Sequence, residues 1–227
     1  MISAQTVHKT YIDGETQVHA LRGIDIRIGE AEFLAIAGPS GSGKSTLLNI
    51  IGCIDTPDSG EVQIDGESVS GRKTRDLVEI RRAKIGFVFQ NFNLIPVLTA
   101  YENVAMSLAL LGMREAEMRQ RSMAMLAEVG LQGMEDRRPS RLSGGQQQRV
   151  AVARALVKEP LIVLADEPTA NLDSETGESI LKLMLELNNR LGTTFVFSTH
   201  DHMVMEYARR LCLLHDGLIV SDERRSA

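Results

Sequence analysis

The sequence predicts an α/β fold, in which a parallel sheet is flanked by helices, a small antiparallel sheet lies near the start, and a block of helices is inserted before the last strands. Three observations carry this prediction. Leu161 to Ala165 and Thr194 to Ser198 are short, nearly continuous apolar runs, as strands buried on both faces are, and the amphipathic segment Ile180 to Leu191 separates them. Another apolar stretch, Glu32 to Ala37, runs into a glycine-rich loop, after which Leu47, Leu48, Ile50 and Ile51 recur at helical spacing. Before it, Ala20, Ile24, Ile26 and Ile28 interleave with charged residues at a period of two.

The remaining elements follow in order. Val62 and Ile64 continue the alternation up to Asp65-Gly66, a turn signal, so the first sixty or so residues read as a half-buried antiparallel sheet. Ile85 to Gln90 is a further apolar strand. Thr99 to Glu102 matches a capping box that opens a helix carrying Val104, Met106, Leu108 and Leu111, and helical character continues through Glu115 to Val129. A helix runs from the pair Gly144-Gly145 to about Lys158. Leu211 to Leu214, Asp216-Gly217 and Leu218 to Val220 read as a β-hairpin with a two-residue turn. Strands alternating with helices argue for a parallel sheet. The boundaries expected are an α/β core with its antiparallel sheet over 1–89 and 160–227, and a helical subdomain over 90–159, within one domain spanning 1–227.

Composition narrows the function. An apolar share of 43% over 227 residues is enough for a sizeable core, and a net charge of -5 gives no general attraction for nucleic-acid phosphates. Cys53 and Cys212 lie far apart, without ligand spacing, so neither a disulfide framework nor a zinc site is expected and a reducing cytosol fits. Met1 to Tyr11 lacks the apolar core of a signal peptide. The longest apolar stretches, near Ala105 to Leu111 and Leu161 to Ala165, are too short to span a bilayer, so membrane contact is expected through a partner.

Two segments carry recognisable chemistry. Gly38-Pro39-Ser40-Gly41-Ser42-Gly43-Lys44-Ser45, followed by Thr46, satisfies the phosphate-loop pattern G-x-x-x-x-G-K-[ST]. Glycines let backbone amides curl around phosphate oxygens, and the helix N-terminus adds partial positive charge. Lys44 is expected to reach the β and γ phosphates, and Ser45 to offer its hydroxyl to Mg²⁺. Leu161 to Glu167 delivers two carboxylates to the C-terminal edge of the sheet, where α/β proteins bind ligands. Asp166 is expected to hold Mg²⁺ through water, and Glu167, turned to the other side of the strand end, to orient or deprotonate an attacking water.

Leu142-Ser143-Gly144-Gly145-Gln146 bares two glycines at the start of a helix, an arrangement that offers amide donors to a γ-phosphate and is also compatible with a plain N-cap by Ser143. This segment resembles the signature motif of the ABC ATPases, and the resemblance extends over nearly the whole chain. It implies a P-loop NTPase core with an N-terminal antiparallel β subdomain and an inserted helical subdomain, acting as an ATP-hydrolysing subunit that uses ATP and Mg²⁺.

Residue by residue, Tyr11 resembles the aromatic that stacks on adenine, and Gln90 the glutamine that touches Mg²⁺ and reports occupancy. Asn171-Leu172-Asp173 resembles the loop that crosses the dimer, and His200 the switch histidine on the γ-phosphate. The resemblance implies that ATP is sandwiched between Gly38 to Thr46 of one copy and Ser143, Gly144, Gly145, Gln146 and Asp173 of another, with Lys44, Glu167 and His200 catalytic.

Ile85 to Leu94, Gln146 to Arg149 and Ala165 to Asp173 resemble the bacterial lipoprotein-releasing and macrolide-exporting group. That resemblance implies a separate transmembrane permease, docked near Leu94 to Tyr101, and a place at the cytoplasmic face of the inner membrane. The rival within the family is an ATPase that, with its membrane partner, switches an extracytoplasmic hydrolase. Six of the ten methionines (Met106, Met113, Met118, Met123, Met125 and Met134) fall in the helical block, where they serve either as an adaptable docking surface or as ordinary core.

Overall fold

The early alternation becomes a hairpin in the computed structural model of the chain, which describes residues 1–14 and 16–225. β1 (Ile2–Asp13) pairs antiparallel with β2 (Thr16–Ile28), burying Leu21, Ile24, Ile26 and Ile28 while Arg22, Asp25 and Arg27 stay exposed. The register of β1 slips between Ala4 and Val7, where Thr6 takes a φ of 49° and its amide donates to the Asp25 carboxylate at 2.9 Å. β4 (Ser59–Ile64) pairs with the other edge of β1, and β5 (Glu67–Ser68) completes the order β2-β1-β4-β5. The turn joining β4 to β5 holds Asp65 and Gly66 at φ 56° and 77°, the two positive values that a tight hairpin turn requires.

The second sheet contains β3 (Phe33–Ala37), β6 (Ile85–Phe89), β7 (Ile162–Asp166), β8 (Thr194–Thr199), β9 (Arg210–His215) and β10 (Leu218–Arg224), in the order β10-β9-β3-β8-β7-β6. Its pairings are parallel apart from the β9–β10 hairpin. Every residue of β3 and of β8 is buried, which is why both read as nearly unbroken apolar runs.

The sheet divides the core in two. Phe33, Ala35 and Ala37 face a cluster with Phe195 and Phe197, while Leu34 and Ile36 face the opposite cluster with Ile24, Ile26, Ile28, Val62 and Ile64. The Phe33 ring lies 4.7 Å from that of Phe197 and 5.8 Å from that of Phe195, so truncating one of these buried rings costs about 3–5 kcal/mol.

α1 (Lys44–Ile51) packs under the antiparallel sheet through Leu47, Leu48, Ile50 and Ile51. α2 (Thr74–Lys84), which the sequence pattern did not reveal, buries Leu77 and Ile80 in the same cluster and leads into β6. The expected helical block lies between β6 and β7 as α3 (Ala100–Ala109), α4 (Glu115–Glu128) and α5 (Gly144–Leu156). The capping box at Thr99 and Glu102 forms as the sequence implies. α6 (Ser174–Leu191) starts six residues before the expected Ile180, because Asp173 accepts the Thr176 amide and caps it. α7 (His202–Tyr207) is a short addition capped by Asp201. Met125 is buried, and Met113, Met118 and Met134 pack against the same cluster, so these four serve as core.

Candidate functional site

The phosphate loop leaves β3 at the C-terminal edge of the parallel strands and enters α1. Its glycines are needed for close approach: a Cβ on Gly38 would lie 2.0 Å from the Leu214 carbonyl oxygen of β9, and one on Gly43, at φ +104°, 2.3 Å from the Ala20 carbonyl oxygen of β2. The turn between β9 and β10 braces the loop, since the Gly217 amide donates to the Ser42 carbonyl at 3.0 Å and the Arg22 amide to the Gly217 carbonyl at 2.8 Å. Lys44 is only 8% exposed, and its Nζ donates to the Gly38 and Pro39 carbonyls, each at 2.9 Å. Its cation is thereby held against the loop whose amides it supplements.

The two carboxylates at the end of β7 diverge. The Ser45 hydroxyl donates to Asp166 Oδ1 at 3.3 Å, although β3, which leads into the loop before Ser45, is separated from β7 by β8. Glu167 sits at φ 45°, and its amide donates to the Ser198 carbonyl at 2.9 Å. That left-handed step turns its carboxylate towards β8. There Oε2 accepts the Thr199 hydroxyl at 3.1 Å, while Oε1 accepts the His200 amide at 3.2 Å and lies 2.5 Å from His200 Nδ1. The Glu167 side chain is 15% exposed and that of His200 71%, so the imidazole stands on the open side of the carboxylate. Thr199 was not singled out in the sequence, although it adjoins His200 at the end of an apolar strand.

Tyr11 is 39% exposed, and Thr46 is a neighbour of its hydroxyl, which donates to Asp55 Oδ2 at 2.8 Å. Lys9 Nζ lies 5.3 Å from the ring centroid. Burial and the Asp55 bond hold the phenol above its ordinary pKa. Gln90 lies one residue past β6 and is exposed. Its carbonyl accepts the Asn171 side-chain amide at 3.0 Å, and the same nitrogen donates to Asn91 Oδ1 at 2.8 Å.

Ser143 caps α5: its hydroxyl accepts the Gln146 amide at 3.3 Å, while Gln146 Oε1 accepts the Ser143 amide at 3.0 Å. The cap and the anion site are compatible, because Gly144 and Gly145 occupy the first turn, where a helix provides no partners of its own for the amides. The depression around Ser143, Gly145 and Gln146 is lined by Arg149, Glu175, Thr176, Ser179 and Ile180, all residues of α5 and α6. The Asp173 carboxyl is held below its usual range by the hydrogen bond from Thr176. Lys44, Ser45, Asp166, Glu167 and His200 therefore gather at one edge of the sheet, and Ser143 to Gln146 form a separate surface at the start of α5.

A phosphate loop, a strand ending in two divergent carboxylates and a histidine seated on the second of them define a P-loop ATP hydrolase. The chain belongs to the ABC transporter family, whose profile matches residues 21–170, and is an ATP-binding, ATP-hydrolysing subunit of that class. It is 49% identical to the ABC transporter ATP-binding protein MJ0796 of Methanocaldococcus jannaschii, over 99% of this chain and 97% of that one. It is 47% identical to the macrolide export ATP-binding/permease protein MacB of Syntrophobacter fumaroxidans, over 96% of this chain but 31% of that longer one. The dimeric structure of MJ0796 in a post-hydrolysis state bound to ADP and Pi matches with a TM-score of 0.91 at 47% identity, covering 100% of both chains.

Proposed function

We propose that the chain acts as one half of an ATP-sandwich dimer that powers a membrane permease of the export or lipoprotein-releasing type. The observation that supports this most directly is the separation of two anion-binding surfaces on one chain, the loop at Gly38 to Thr46 and the helix start at Ser143 to Gln146. Two copies arranged head to tail supply both surfaces to one ATP. The dimeric MJ0796 structures and the fused permease of MacB support the same assignment. Among the described residues no helix is long and apolar enough to cross a membrane, in keeping with a peripheral place at the cytoplasmic face.

Ser45 and Asp166 would hold Mg²⁺ through the oxygen donors it prefers, one hydroxyl and one carboxylate, the latter through water, and Gln90 would add a side-chain oxygen. The ion, when bound, neutralises charge on the β and γ phosphates. Glu167 orients the water for in-line attack and takes its proton, with Thr199 and the His200 amide fixing the carboxylate. Lys44, His200 and the opposing Gly144 and Gly145 amides bind the spreading negative charge. Tyr11 stacks on the base, and Asp173 closes the site from the other copy. Residues 90–159 form the unit that meets the permease, near Leu94 to Tyr101, where Val97 is 70% exposed.

Glu167→Gln tests the composite site. The amide is nearly isosteric, so ATP still binds but persists, and the variant is expected to dimerise with ATP and remain monomeric with ADP in light-scattering measurements. A variant that stays monomeric at saturating ATP, alone and with its permease, refutes the sandwich.

A further inference from the structure

The turn after Gln90 is held by a residue to which the ATPase motifs assign no task. Phe92 and Asn93 are successive residues at φ 59° and 48°, a region that asparagine tolerates but a bulky phenylalanine avoids, so the turn needs support from outside itself. Arg154, in the last turn of α5, provides it. Its Nη2 donates to the Phe92 carbonyl at 2.8 Å and its Nη1 to the Asn93 carbonyl at 2.5 Å.

The Arg154 side chain is half-buried, and that burial pushes its pKa below the ordinary value. A second tie comes from the opposite side, where the Asn171 amide bonds the Gln90 carbonyl and the Asn91 side chain. The three segments converge at the start of α5, since a Cβ on Gly144 would lie 3.3 Å from Leu172 and 3.8 Å from the Phe92 ring.

One rigid helix therefore carries the signature glycines at its start and Arg154 at its end. We propose that Arg154, with Asn171 as the opposing tie, is a positioning residue for hydrolysis: the fork fixes the Gln90 turn to the signature helix, so that the metal-facing glutamine and the γ-phosphate amides move as one body. The functional part of this inference rests on the reading of Gln90 as a contact to the nucleotide's Mg²⁺. Arginine suits the task because its planar fork offers two donors to two successive carbonyls, and a lysine at the same place offers one nitrogen.

The test uses the whole 227-residue chain with Arg154→Lys and, separately, Asn171→Ala, which removes an exposed side chain and carries little risk to folding. In hydrogen exchange, amides of residues 90–98 are expected to exchange about tenfold faster in either variant, the factor that corresponds to losing one such bond, while those of β3 and α1 are unchanged. For ATP hydrolysis, kcat is expected to fall about tenfold or more with the KM for ATP within about twofold, as for a misplaced group that does not itself bind substrate.

Wild-type exchange over 90–98 in both variants overturns the clamp. A rise in KM that accounts for the whole loss of kcat/KM overturns the positioning role. Gln90→Ala serves as the control: wild-type kcat in that variant refutes the reading of Gln90 and the catalytic role with it, while the exchange comparison still decides whether the clamp exists.

Discussion

Gly41 and Gly43 form a matched pair that separates backbone conformation from close packing in the phosphate loop. Both have positive φ, +80° and +104°, but a Cβ on Gly41 meets nothing within 4 Å, whereas one on Gly43 meets the Ala20 carbonyl oxygen at 2.3 Å and Leu21 Cδ2 at 3.1 Å. Alanine at Gly41 therefore costs only the left-handed strain, about 1–2 kcal/mol. Alanine at Gly43 carries the same strain plus an overlap with the backbone of β2, which adds about 1–3 kcal/mol and cannot be relieved by rotating a side chain.

For a chain of this length each kcal/mol shifts Tm by about 2–4 °C, so Gly41→Ala is expected to lower Tm by about 2–8 °C and Gly43→Ala by about 4–20 °C. Nucleotide binding should suffer more at Gly43, because the overlap pushes the loop away from the strand it rests on. Thermal denaturation followed by circular dichroism, with fluorescent-nucleotide titration, measures both effects. If Gly43→Ala is no more destabilised than Gly41→Ala, the argument from the Ala20 contact is wrong.

Lys44→Ala removes a buried ammonium and its bonds to Gly38 and Pro39. Calorimetry should show ATP affinity reduced by about 1.5–3 kcal/mol and turnover lost, with Tm lowered by only a few degrees; wild-type ATPase rates in this variant would contradict the phosphate-loop assignment. Tyr11→Ala is expected to weaken ATP binding by about 1–3 kcal/mol, whereas Tyr11→Phe, which loses only the bond to Asp55, should retain it; unchanged affinity in Tyr11→Ala would make Tyr11 a packing residue, and equal losses in both would assign the effect to the hydroxyl instead of the ring. Lys158 is pushed down to about 8 by burial and by Arg81. Between pH 8 and the usual lysine value of about 10.4 the unfolded chain binds more protons there than the folded one, so this lysine's contribution makes stability rise with pH across that window. In urea melts at several pH values the difference between wild type and Lys158→Met should show that rise; a flat difference refutes the shift.

The sequence carried the strands and motifs whose signals are local. β7 and β8 were legible because Ile162 to Ala165 and Phe195 to Phe197, buried on both faces, are unbroken by polar residues, and the β9–β10 turn because Asp216 and Gly217 supply both positive φ values, 47° and 75°. α2 was not legible, since Leu77 and Ile80 are its only buried residues and Lys73 at its start makes no side-chain cap. The bulge at Thr6 hid β1 by breaking its period of two. In the site, the motifs are visible in the sequence, whereas the contacts that join them are not. Arg154 reaches Asn93 across 61 residues and Asn171 reaches Gln90 across 81, and neither pairing leaves a mark in the local pattern.

The bracing of the phosphate loop by Gly217 and Leu214 sets an order of events during synthesis. The loop leaves the ribosome long before the β9–β10 hairpin that seats it. A nascent chain that has already exposed Lys44 still lacks one wall of its cradle. Competence to hold nucleotide thus arrives with the closing strands of the second sheet, and a growing chain cannot join a partner around ATP before its own sheet is finished.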